Sequence, residues 1–143
     1  MPFTRIDYTA RSGQAVQALA AARKHLALPL SLRLLMELRV SQLNGCGYCV
    51  DLHSRELIAA GMEPRKVMAV AAWSHTPFFT EQERAALNWA EVVTRLGPHG
   101  VPDHDYSALR QHFNEAEASD LTVCIAMMNL WNRLAVALGR TID

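Results

Sequence analysis

SLRLLMELRVSQLNGCGYCVDLHSREL, residues 31–57, holds an apolar-rich stretch, an Asn-Gly break, and two of the chain's three cysteines. The first half, 31–43, is apolar enough to be a mostly buried helix, with Ser31 the candidate N-cap. Asn44-Gly45 is a break signal, and a second helix is predicted from there to about Gly61, with Asn44 as its candidate cap and Gly61 just past its end. Cys46 and Cys49 then fall in the first turn of that helix, and His53 lies four residues beyond Cys49 on the same face. Unpaired N–H groups and the positive end of the helix dipole favour an anion there, so the position suits thiolates. A free thiol titrates near about 8.5, whereas helix N-termini, Cys-x-x-Cys spacing and cationic neighbours bring it to roughly 3.5 to 7.5. The i, i+3 spacing also lets the two sulfurs close into a disulfide with modest adjustment. An imidazole one turn along can take a thiol proton and return one to a leaving oxygen.

The rest of the chain reads the same way. Residues 12–28 form an Ala/Leu-rich helix stopped by Pro29, and Pro64 opens a helix over 64–73. Thr80 to Glu83 reads as a capping box for a helix running to Gly97, a short helix lies near 104–113, and Asn114 to Glu117 forms a second box before a long apolar helix. No strand-like alternation is present, which predicts one all-α domain, residues 1–143, a compact bundle of about six or seven helices. The stretches 31–43 and 121–138 are apolar beyond a single core-facing stripe, so they are either central helices of one bundle or surfaces buried against a second subunit.

Composition narrows the function classes. A chain of 143 residues buries about two thirds of its unfolded surface and needs neither a disulfide nor a metal to fold. With 14 basic and 14 acidic residues there is no uniform field for phosphates or anionic lipid, so nucleic acid is not an expected partner. Neither a signal-peptide stretch nor a membrane-spanning window is expected, which points to a cytoplasmic protein. In a reducing compartment a close cysteine pair is more often catalytic or metal-binding than structural. Zinc could take Cys46, Cys49 and His53, but no second paired motif supplies a fourth ligand; His25, His75, His99, His104 and His112 are scattered singly. A thioredoxin-like reading lacks its preceding strand. Cys124, alone in the long apolar helix, reads as a small buried hydrophobe, and Trp73, Trp89 and Trp131 with Phe78 and Phe79 as core or interface aromatics, although the segment 73–79 could line the approach to the thiols.

The segment LRVSQLNGCGYCVDLHSREL, with its pattern S-x-x-N-G-C-x-x-C-x-x-x-H, closely resembles the core motif of the alkyl hydroperoxidase D-like (AhpD-like) proteins of the carboxymuconolactone decarboxylase superfamily. The resemblance continues through WSHTPFFTEQERAALNWAEVVTRL, VPDHDY and DLTVCIAMMNLWNRLAVAL. It implies an all-α fold, a homo-oligomer (trimer or hexamer), and hydroperoxide reduction with Cys49 as the peroxidatic thiol, Cys46 its resolving partner and His53 the proton relay. An external dithiol, protein-borne or lipoyl-type, would restore the pair, and no metal or flavin cofactor is required. One departure stands out: the relay glutamate of the family falls here on Leu34. Glu37, one turn later, could reach the same region together with Ser41, against the plainer reading of a carboxylate solvated or salt-bridged to Arg33 or Arg39. Decarboxylase or lactone chemistry, whose family members generally lack the cysteine pair, and a non-enzymatic thiol redox sensor are the alternatives.

Overall fold

A computed structural model describes residues 2–142. Its elements are α1 (Tyr8–Arg11), α2 (Gly13–Ala22), a 3-10 turn (Arg23–His25), α3 (Leu30–Leu43), α4 (Gly47–Ala59), α5 (Pro64–Met68), a second 3-10 segment (Val70–His75), α6 (Glu81–Thr94), α7 (Asp103–Arg110) and α8 (Glu115–Leu138). The described residues form no strand; two isolated bridges, Phe3 with Arg140 and Gly97 with Gly100, are the only β-type pairs among them. The all-α expectation holds. The short turn at Tyr8–Arg11 was not predicted, and the helix expected over 64–73 divides into α5 and the 3-10 segment, which is itself kinked at Ala72.

Helix α3 is the axle of the bundle, packed against α4, α6 and α8. Nine of its residues, Leu32 and Leu34 through Ser41, are buried, so its apolar residues beyond a single core-facing stripe are covered within one chain. The core continues through Leu57 of α4, Leu87 of α6, and Leu121 and Ile125 of α8, all fully buried. Leu35 is fully buried as well. Truncating it removes a transfer term and leaves a cavity. Leu35→Ala is expected to cost about 3 kcal/mol, read as a lowered urea midpoint at unchanged slope; a loss below about 1 kcal/mol would contradict a tightly packed α3.

Both capping boxes form: Thr80 accepts from Glu83 N–H while Glu83 accepts from Thr80 N–H, and Asn114 and Glu117 do the same for α8. Several boundaries differ from expectation. The helix expected over 12–28 gives way to the 3-10 turn at Arg23, and the chain is extended at Leu26. The N-cap of helix α3 falls two residues early, at Pro29 rather than Ser31, because the Pro29 carbonyl accepts the first helical bond from Arg33. Helix α6 stops at Thr94, where Arg95 N–H closes onto Glu91. Asn44 caps the end of α3 rather than the start of α4.

Helix α8 is long and apolar enough to cross a membrane by length and composition alone, contrary to the sequence expectation. Its inward positions Ala118, Leu121, Cys124, Ile125, Met128, Asn132 and Ala135 are nevertheless buried in the bundle, which is what a core helix requires. The opposite side leaves Val123 and Val136 exposed. Gly139 ends it in the left-handed region, φ 73°. A Cβ at Gly139 would collide with Thr4, whose N–H bonds the Gly139 carbonyl, so the glycine lets the N-terminal segment dock on the end of α8.

Candidate functional site

The turn between α3 and α4 positions the cysteines. Gly45 sits at φ 66°, a conformation costly for any residue with a Cβ. Cys46 N–H bonds the Ser41 carbonyl at 3.0 Å and Gly45 N–H the Gln42 carbonyl at 3.2 Å, the paired bonds of a Schellman turn. The residue that closes α3 therefore opens α4: Cys46 is its N-cap, its Sγ accepting from Cys49 N–H at 3.3 Å. Cys49 lies in the first turn and is bonded to Cys46 as a disulfide, with Cα atoms 5.3 Å apart. Both cysteines and His53 are buried.

Their surroundings differ. Cys49, Leu52 and His53 line a cavity of about 240 Å³ whose other walls include Leu26, Met128 and Trp131, while Cys46 is not among the lining residues. Only one cysteine of the pair lines the space a substrate could enter.

His53 Nδ1 lies 2.8 Å from Glu56 Oε2 and 3.5 Å from Glu37 Oε2. A carboxylate can only accept, so the bond to Glu56 is donated by Nδ1–H, and Nε2 is the ring nitrogen left for other partners. Glu37 is buried, with burial pushing its carboxyl above the ordinary range against the opposing effects of His53, Arg23 and Arg33. Arg23 Nη2 lies 2.6 Å from Glu37 Oε2 and 3.8 Å from Glu56 Oε2, and Arg33 Nε lies 3.8 Å from Glu37 Oε1. The conjecture that Glu37 reaches the cysteine region holds in space, and so does a salt bridge to Arg33. Arg39 is not a partner, being committed to Glu91 at 2.7 Å. Ser41 does not join the group: its hydroxyl donates to the Glu37 main-chain carbonyl and accepts from Asn132. Leu34 is core.

Glu37, His53 and Glu56 offer ligand atoms within 4.8 Å of one another, a spacing a metal could use. Arg23 already neutralises that corner, and the cysteine sulfurs belong to a different set.

Sequence reasoning missed Glu56 and Arg23. The first had a signal, since His53 and Glu56 stand at i, i+3 on one helix; the second is brought by tertiary packing alone. Cys124 is buried as expected, its thiol pushed up to about 12 chiefly by burial, and it forms an unreactive part of the cavity wall. Trp131 lines the cavity, while Trp73 donates to Glu91 and Trp89 to Thr122. Phe79 is in the core.

An all-α bundle with a Cys-x-x-Cys pair at a helix start and a buried histidine one turn on defines an AhpD-like architecture. The chain belongs to the carboxymuconolactone decarboxylase family, whose model matches residues 8–92 and so includes both α3 and α4. It is 36% identical over 107 residues to the uncharacterised protein YdfG of Bacillus subtilis (strain 168), covering 75% of this chain and 73% of that one. A protein of unknown function from Agrobacterium tumefaciens, ATU0492, described as a candidate antioxidant defence protein AhpD, shares the fold with TM-score 0.91 and 35% identity, over 98% of this chain and 99% of its own. An uncharacterised peroxidase-related protein from Ralstonia eutropha JMP134, described as an alkylhydroperoxidase AhpD core, aligns with TM-score 0.83 and 27% identity, over 94% of this chain and 74% of its own.

Proposed function

We propose that the protein is a thiol-dependent peroxidase that reduces organic hydroperoxides or hydrogen peroxide through Cys46 and Cys49, acting in antioxidant defence in the cytoplasm. The observation that carries this reading is the asymmetry of the disulfide: Cys49 opens on the cavity beside His53, and Cys46 stands behind it at the N-cap. In the reduced protein His53 Nε2 takes the Cys49 proton. The thiolate attacks the terminal peroxide oxygen, the O–O bond breaks, and the departing alkoxide or hydroxide receives a proton from the imidazolium. Cys49 is left as a sulfenic acid. The Cys46 thiol then displaces water from it to form the disulfide, and an external dithiol, protein-borne or lipoyl-type, returns both thiols by exchange. Glu37 and Glu56 hold the proton on Nδ1, so that Nε2 does the exchanging, and Glu37 stands in for the carboxylate replaced at Leu34.

The exposed outer side of α8, with Val123 43% and Val136 51% exposed, supports assembly with further copies of the chain as a trimer or hexamer. The test is stopped-flow oxidation of the reduced protein by one equivalent of cumene hydroperoxide, with thiols counted and the cross-link mapped by mass spectrometry. Loss of two thiols per chain into the Cys46–Cys49 bond, far faster than with a free thiol, is expected. A rate no faster than free thiol would refute the peroxidase and favour a redox sensor or the family's lactone chemistry.

A further inference from the structure

The cavity has a second polar end that the peroxidase chemistry does not use. Cys124 and Ala135, eleven residues and roughly 16 Å apart on α8 at 1.5 Å per residue, both line it, so the space is elongated along that helix. At the Cys124 end lies Glu37, paired with Arg23 and Arg33, and Glu56 adds a second carboxylate 3.8 Å from Arg23, so two acids face two guanidiniums there. Arg140 stands at the Ala135 end, its backbone N–H closed onto the Ala135 carbonyl at 2.8 Å. Its guanidinium lies 4.1 Å from the centre of the Tyr48 ring, and Nη1 donates to Tyr8 Oη at 3.4 Å. Among the described residues no carboxylate lies within 4 Å of it, unlike Arg23 and Arg33; its Nε, like theirs, is buried with no hydrogen-bond partner. Asp7, the nearby acid that feels its field, is engaged in capping α1 through the N–H groups of Thr9 and Ala10. Tyr48, Cys49 and His53 lead along α4 from Arg140 toward Glu37, so the reactive cysteine lies between a cation with no carboxylate partner among the described residues and an ion-paired corner.

A guanidinium that lines a cavity and has no carboxylate partner is a site for a planar anion, most readily a carboxylate. The wall between the two ends is apolar, with Leu52, Met128 and Trp131. At about 240 Å³ the cavity exceeds the roughly 150 Å³ that admits benzene. We propose that the preferred substrate is a carboxylate-bearing organic hydroperoxide, its acid group on Arg140, its apolar body against Met128 and Trp131, and its peroxide at Cys49. This rests on the peroxidase reading for the reacting group, and on the cavity alone for the acid and the apolar body.

The matched pair that tests it is 4-carboxy-cumene hydroperoxide and its methyl ester, which share the ring and the peroxide and differ in charge. The reduced protein is expected to be oxidised by the acid at least about tenfold faster than by the ester, the discrimination a charge-assisted hydrogen bond supplies. Arg140→Gln is expected to bring that ratio close to one and Arg140→Lys to restore part of it. The ratio is internal to each variant, so a general change in folding or reactivity does not move it. A second readout needs no turnover: calorimetric binding of 4-isopropylbenzoate to the oxidised protein is expected to be tighter than that of 4-isopropylbenzamide, and to lose that advantage in Arg140→Gln. Equal rates for acid and ester in the natural protein, or a ratio unmoved by Arg140→Gln, would overturn the assignment. If both hydroperoxides react at the free-thiol rate while the benzoate still binds through Arg140, the anion site stands and the peroxidase reading falls.

Discussion

Cys49→Ser is expected to lower the rate of hydroperoxide reduction by roughly 10³-fold or more, the scale seen when a nucleophile is removed from a site that keeps its other groups. The serine is isosteric, but its hydroxyl is not ionised by a neighbouring imidazole to a nucleophile fit for an O–O bond. The partner substitution separates the roles. Cys46→Ser leaves Cys49 at the cavity and His53 in place, so the first peroxide is still consumed and a sulfenic acid accumulates, to be trapped by a 1,3-diketone and weighed by mass spectrometry. Full turnover by Cys49→Ser would remove the mechanism. Rapid oxidation in Cys49→Ser with none in Cys46→Ser would reverse the order of the two sulfurs.

His53→Gln is expected to slow Cys49 oxidation at pH 7 by about 10²- to 10⁴-fold, the contribution of a placed general base. The loss should shrink as pH rises, because a thiol without its base ionises unaided above about 8.5. The shape of the profile is therefore the readout: the natural protein reacts well below that pH, and the variant climbs toward it. Glutamine cannot accept a proton, and its substitution leaves Glu37 and Glu56 facing an amide, with Arg23 still between them. An unaltered rate at neutral pH in His53→Gln would exclude the ring from the proton's path.

The helices and most of their limits were legible because their causes are local. A threonine or asparagine three residues before a glutamate satisfies orphan N–H groups wherever the chain goes next, and the boxes at Thr80 and Asn114 formed as read. The break at Asn44-Gly45 is legible too, but the N-cap of α4 falls two residues beyond the expected Asn44, at Cys46. Asn44 has a good capping side chain, yet that side chain donates to Asn129 and Asn132 across the bundle, and the left-handed Gly45 carries the chain on to Cys46 before α4 starts.

The sequence by itself determined the helical class, the spacing that puts Cys46, Cys49 and His53 along one helix start, and the isolation of Cys124 from that pair. These follow from periodicities of three and four residues, which any helix imposes on its own side chains. Only the tertiary structure decided that Cys49 and not Cys46 faces the cavity, that Glu37 is buried against Arg23 and reaches His53, and that Arg140 closes the far end beside Tyr8 and Tyr48. Glu37 and His53 sit on different helices, and Arg23 and Arg140 come from segments outside both. Their meeting is set by how α3, α4 and α8 pack and by where the N-terminal segment docks, and no local pattern of residues encodes distances between elements.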